Sequence, residues 1–168
     1  MLSRKQASQQ TFGFGQPATD EQIAGWDIDI LPDGTGLPPG SATIEDAKRV
    51  YEKYGAAFHG PNGEGTDAAP RLVGGIGSLD TADPVKTVGS YWPYAPIIFD
   101  YIRRAMPASA PQTLTNDEYY ALTAWVLWAN GLIDDDAVLD QDTLPQVQMP
   151  NRDGFTSPDP RPDVENAG

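Results

Sequence analysis

Residues 51–65 read Tyr51-Glu52-Lys53-Tyr54-Gly55-Ala56-Ala57-Phe58-His59-Gly60-Pro61-Asn62-Gly63-Glu64-Gly65. A helical apolar stripe leads into this stretch, and glycines punctuate its exit. The stretch has the frame of C-x-x-C-H, the loop in which two thiols bind the heme vinyls and a histidine binds iron. Gly55 and Phe58 stand at the two thiol positions, and His59 is kept. His59 is the only histidine in the chain, and there is no cysteine. An iron ligand is therefore present, and a covalent tether is chemically impossible.

Composition bounds the rest. At 168 residues the chain has the length of one domain with a real core. A hydrophobic fraction of 39% with Gly 17 and Pro 16 predicts a compact centre with long irregular segments. The formal charge of -13 argues against nucleic acid and against anionic membrane surfaces as partners. It suits a basic docking surface on a protein partner, and equally plain solubility. No run of apolar residues is long enough to span a membrane. The opening Met1-Leu2-Ser3-Arg4-Lys5-Gln6 has no apolar core, so no signal peptide is read there.

The chain reads as three parts. Residues 1–40 are polar and rich in Gly and Pro, an irregular N-terminal extension. Residues 41–133 carry the helical signals. Residues 134–168 open on Asp134, Asp135 and Asp136 and become a Pro-rich, acidic C-terminal extension that wraps or trails.

Three helices are predicted. The first starts near Thr43, with Asp46 three residues on as a capping-box match. Ala47, Val50, Tyr51 and Tyr54 give it one apolar face, and it runs into a loop over Gly55–His59. The second starts after Pro96, carries Ile97, Ile98, Tyr101, Ile102 and Ala105, and stops before Pro107. The third has a capping box in Thr115 and Glu118, then Tyr119, Leu122, Val126 and Ala129, and ends on Asn130-Gly131. No alternating strand pattern stands out. The fold class is all-α.

Little else carries chemistry. With one histidine and no cysteine there is no Cys–His nucleophile pair, zinc cluster or phosphate loop, and no nucleophile-elbow pattern supports a serine triad. Asp27, Asp29 and Asp153-Gly154 lack the spacing of a calcium loop. The aromatics Tyr91, Trp92, Trp125 and Trp128 read equally as core or as the wall of a cofactor site. Met106 reads as core filler or as a ligand turn.

Several segments carry a family resemblance. They are Gly15-Gln16-Pro17-Ala18-Thr19, Gly25-Trp26-Asp27-Ile28-Asp29, residues 32–40 (PDGTGLPPG), residues 88–95 (VGSYWPYA), residues 99–107 (FDYIRRAMP) and residues 149–155 (MPNRDGF). Together with the helix running into His59-Gly60, the Met106-Pro107 turn and the last amphipathic helix, they resemble a class I cytochrome c. More narrowly, they resemble the cytochrome c subunit of the molybdenum sulfite and sulfane dehydrogenases of bacterial Sox sulfur oxidation. The resemblance spans roughly residues 12–165. It departs at the two missing thiols, and the second cytochrome domain of some members is absent.

The resemblance implies a class I cytochrome c-like domain over 41–133, with the long extensions on either side. It implies His59 and Met106 as the two axial ligands of a heme iron. Pro70 is implied as the carbonyl that orients the imidazole, and Arg71, Tyr91 and Trp92 as neighbours of the heme edge. Gly55 and Phe58 border the same site. The implied function is one-electron transfer, and the chain itself is not expected to be an enzyme. The donor would be a molybdenum sulfite or sulfane dehydrogenase catalytic subunit, the acceptor another cytochrome, and the compartment the periplasm. Without thioethers, heme would be held only by axial bonds and by burial of its apolar surface, at roughly 25 cal/mol per Å². Phe58 could crowd a vinyl or fill an empty pocket. The alternatives are therefore a heme-free accessory subunit of cytochrome fold, or a cysteine-replaced variant that has lost covalent heme.

Overall fold

The computed structural model describes residues 15–156. The outer ends of both predicted extensions, residues 1–14 and 157–168, lie outside the described residues. The architecture is all-α with long irregular extensions, as expected. In chain order the elements are α1 (Asp20–Ala24), β1 (Ser41–Thr43), α2 (Ile44–Tyr54), α3 (Ala56–His59), α4 (Val88–Tyr91), α5 (Ala95–Ala105), α6 (Asn116–Ala129), β2 (Val138–Asp140) and a 3₁₀ turn (Leu144–Gln146).

The centre is α6. Its N-terminus is closed by the reciprocal pair predicted for it: the Thr115 hydroxyl accepts from the Glu118 N–H, and the Glu118 carboxylate accepts from the Thr115 N–H. Every residue from Tyr119 to Leu127 is buried, so the helix is apolar on all sides and serves as the core axis. It ends in a Schellman turn, with Gly131 at φ 70° and the Leu132 N–H reaching the Leu127 carbonyl at 3.0 Å.

Helix α2 packs on α6 through Ile44, Ala47, Val50 and Tyr51. Its capping box is complete, with Asp46 in the role usually taken by glutamate. Helix α5 also packs on α6, but its buried face is rotated from the predicted stripe. Ala95, Ile98, Phe99 and Ile102 face inward, whereas Tyr101 is 49% exposed. The helix begins at Ala95, with Pro96 in its first turn, where a missing N–H costs nothing.

The predicted loop over Gly55–His59 is instead a second helical turn, α3, in which the His59 N–H bonds the Gly55 carbonyl at 2.9 Å. Three further elements carried no signal strong enough to predict: the capped turns α1 and α4, and an antiparallel pair of three-residue strands. That pair sets Ala42 opposite Leu139, too short a ladder to display alternation. It draws residues 134–156 onto the domain, and Leu139, Leu144 and Met149 join the core. On the other flank Ile30 is buried, and the Tyr120 hydroxyl donates to the Pro38 carbonyl at 2.8 Å.

Asn130 couples this frame to the loop that carries the site. Its amide oxygen accepts from the Gly74 N–H at 3.0 Å, and its amide nitrogen donates to Leu72 and Val126 carbonyls at 3.1 and 2.8 Å. Truncation leaves the Gly74 N–H and the Leu72 carbonyl without this partner in a half-buried position, whereas the Val126 carbonyl keeps the residue-130 N–H. Asn130→Ala is expected to lower stability by about 1–3 kcal/mol, read by denaturant unfolding. An unchanged midpoint would remove Asn130 from the frame.

Candidate functional site

The turn α2–α3 aims the ring of His59. The Gly60 N–H closes on the Ala56 carbonyl, and the chain then reverses at Gly60, φ 84°. A side chain at Gly60 would collide with Glu64. The Gly65 N–H bonds back to the His59 carbonyl at 2.7 Å, and the Thr66 hydroxyl bonds the Phe58 carbonyl. The loop so folded presents the Pro70 carbonyl to His59 Nδ1 at 2.7 Å. A carbonyl only accepts, so Nδ1 is the donor, and in the neutral tautomer that makes this bond the lone pair lies on Nε2.

Met106 arrives from another part of the chain. It ends α5 in extended conformation, φ -122° and ψ 148°, which the following Pro107 favours. Its side chain is half-buried against the core.

Both side chains border one cavity of about 590 Å³. The volume lies within the roughly 300–1,000 Å³ of small-molecule and cofactor sites. Gly55, Phe58, His59, Pro70, Arg71, Tyr91, Trp92 and Met106 all line it. Trp125 and Trp128 do not. Trp125 is buried and stacks face to face on Tyr51, and Trp128 donates to Asp135 at 2.6 Å.

The aliphatic wall is Ile98, Ile102, Leu122 and Val126. These residues sit on helical stripes legible in the sequence, but a stripe does not distinguish a core face from a cavity face. Lys86 also lines the cavity, its ammonium 5.1 Å from the Tyr91 ring. Nothing local marked it. Lys86 and Arg71 are the cations of the lining, in a chain of strongly negative charge. The C-terminal segment braces the rim, since the Asn151 amide donates to the Tyr91 carbonyl at 2.7 Å and Phe155 packs edge-on to the Tyr91 ring.

Tyr51 borders the cavity but is not available for proton transfer. Burial, and then the nearby Glu64 charge, push its phenol up to about 12. Its hydroxyl donates to the Gly60 carbonyl at 2.7 Å. Among the described residues no cluster of three His, Cys, Asp or Glu side chains could hold a metal ion. The donors offered to the cavity are an imidazole nitrogen and a thioether sulfur in an apolar setting. That donor set fits a heme iron, which takes His and Met axially, better than a hard cation.

Neither a protein-family model nor a curated protein matches the chain. Among solved structures it matches a chain in the crystal structure of the sulfane dehydrogenase SoxCD from Paracoccus pantotrophus. The two share 45% sequence identity with a TM-score of 0.84, over 93% of this chain and 76% of that one. An identity this high over this length goes beyond a shared fold. The chain therefore belongs to the family of the cytochrome c subunit of Sox sulfane dehydrogenases, as a member with Gly55 and Phe58 in place of both heme-attachment cysteines.

Proposed function

We propose that this chain serves sulfur oxidation as a one-electron carrier. It would take electrons from a molybdenum catalytic subunit and pass them to another cytochrome, in the periplasm, with heme held non-covalently. The observation that carries this reading is the convergence of His59, oriented by Pro70, and Met106 on one apolar cavity. The likeness to a sulfane dehydrogenase chain supplies the setting.

Heme, when bound, supplies Fe(III)/Fe(II) exchange, and a thioether ligand raises its potential. The chain's own contribution is positioning. The Pro70 carbonyl accepts from His59 Nδ1 and orients the ring, so Nε2 would be the atom that holds the metal. Met106 offers sulfur from the end of a packed helix, which limits its movement. Ile98, Ile102, Leu122 and Val126 exclude water. Arg71 and Lys86 offer positive charge to an acidic edge of the ligand. Oxidation of sulfur itself belongs to the partner.

The test is a visible spectrum of the purified protein during hemin titration. Saturable uptake at one equivalent is expected, with heme that extracts freely under denaturing conditions. Absence of saturable uptake would overturn the carrier reading. It would favour a second one, a heme-free accessory subunit, for which the specific observation is Phe58 on the cavity lining where a thiol would stand.

A further inference from the structure

The two positions of the thiol frame are rebuilt, not simply stripped. At residue 55 the space beside the backbone belongs to Tyr51, since a Cβ there would stand 2.5 Å from the Tyr51 ring. That ring is buried, stacks on Trp125 and donates its hydroxyl to the Gly60 carbonyl. At residue 58 a phenyl ring stands on the cavity lining. It does not fill the cavity: it is 49% exposed, and about 590 Å³ remains beside it.

The cavity has a closed floor and an open mouth. Ile98, Ile102, Leu122 and Val126 are buried, whereas Phe58, Ala68, Arg71, Lys86 and Tyr101 are exposed. A flat apolar ligand can therefore reach the floor without parting α2, α5 and α6. Phe58 is placed to act on that passage. Its N–H bonds the Gly55 carbonyl at 3.0 Å, and its carbonyl accepts from the Thr66 hydroxyl. The backbone beneath the ring is thus held on both sides, one residue before His59. Of the described lining residues between 55 and 69, Phe58 is the largest apolar one, and Gly55, Ala68 and Ala69 add little area. A half-exposed ring at a mouth gains burial when an apolar ligand arrives and loses it when the ligand leaves. It supplies adhesion where a thioether would forbid departure.

We propose that heme is an exchangeable ligand of this chain, taken up and given up by the folded protein, and that the Phe58 ring sets how fast it leaves. No covalent bond forms or breaks in that exchange. His59 and Met106 give up the metal as lone-pair donors, and the macrocycle departs whole. That the ligand is heme rests on the function proposed above. That it can leave rests on the missing thiols, the exposed mouth and the Phe58 ring.

The experiment loads the full-length chain with hemin, adds excess apomyoglobin as acceptor and follows transfer by the Soret band. Wild type is compared with Phe58→Ala and Phe58→Leu. Wild type is expected to transfer its hemin faster than it unfolds in a denaturant jump, and the recovered chain should take up hemin again at one equivalent. Phe58→Ala is expected to release hemin about tenfold faster, the scale of burying half a phenylalanine side chain. Phe58→Leu keeps most of the apolar area and should stay close to wild type. Thermal midpoints of the unloaded variants should match wild type, because half of the ring is already in water. Release no faster than unfolding, or equal release by wild type and Phe58→Ala, would overturn the inference. If hemin binds, stays bound and still carries electrons, the exchange is wrong and the carrier reading stands. If Phe58-dependent exchange occurs in a chain that accepts no electrons, the carrier reading falls and the exchange stands. Absence of hemin uptake would overturn both.

Discussion

His59→Ala is expected to weaken hemin binding by more than about 100-fold, since loss of an outer-shell partner alone typically costs 10–100-fold and this change would remove the proposed ligand itself. The folded protein should survive. His59 is half-buried, and its one recorded side-chain bond is the Nδ1 contact with Pro70. Met106→Ala is expected to be milder. It would remove one of the two proposed iron ligands, so hemin should still bind, with a changed visible spectrum and a lowered reduction potential. The measurement is paired hemin titration and redox titration, with thermal unfolding as the control on folding. Hemin uptake by His59→Ala that matches wild type would remove His59 from the site. If Met106→Ala left the spectrum and the potential unchanged, Met106 would be a packing residue only.

Restoring the thiols should convert a protein with no covalent heme into one with covalent heme when it is expressed with a c-type maturation system. The two positions are not equivalent. Phe58 is 49% exposed on the cavity lining, so Phe58→Cys removes a ring without opening the core. Gly55 is buried at the join of α2 and α3, and a Cβ there would meet the Tyr51 ring at 2.5 Å. That ring is stacked on Trp125 and bonded to the Gly60 carbonyl, so it must shift to admit the new atom. Gly55→Cys is expected to cost about 1–3 kcal/mol, the range for overpacking a filled site. Phe58→Cys should leave the unfolding midpoint near wild type. Phe58→Cys alone should therefore give a single thioether in good yield, and the double variant should give two at lower yield. Heme staining after denaturing electrophoresis reads the outcome. No covalent heme in either variant, with both folded, would mean that this turn no longer presents residues 55 and 58 to the cofactor.

Both predictions depend on features with different origins. Thr43 with Asp46, and Thr115 with Glu118, could be read as helix starts because a cap operates within three residues, where sequence distance equals spatial distance. The Gly131 turn was legible for the same reason. The burial of α5 was only half legible. Its periodicity is right, but the face is set by what α6 offers, so Phe99 turned inward and Tyr101 stayed out. The strand pair was not legible, because its strands are three residues each and lie far apart in the chain. Among the cavity residues, Lys86 had no local signature, and Leu122 and Val126 read as core.

By itself the sequence determined that the chain is helical, that its one histidine follows a turn without thiols, and that any heme would be untethered. These follow from residue identity and from contacts spanning a few positions. The tertiary structure decided that His59, Pro70, Lys86, Ile98, Met106 and Leu122 meet at one cavity, and that Trp26 stays outside the core. Those outcomes depend on how α2 and α5 pack against α6 and on where the Asn130 amide ties down the 72–74 loop. Such contacts join residues tens of positions apart. They are chosen by competition among apolar faces for burial, and no local pattern records which face wins.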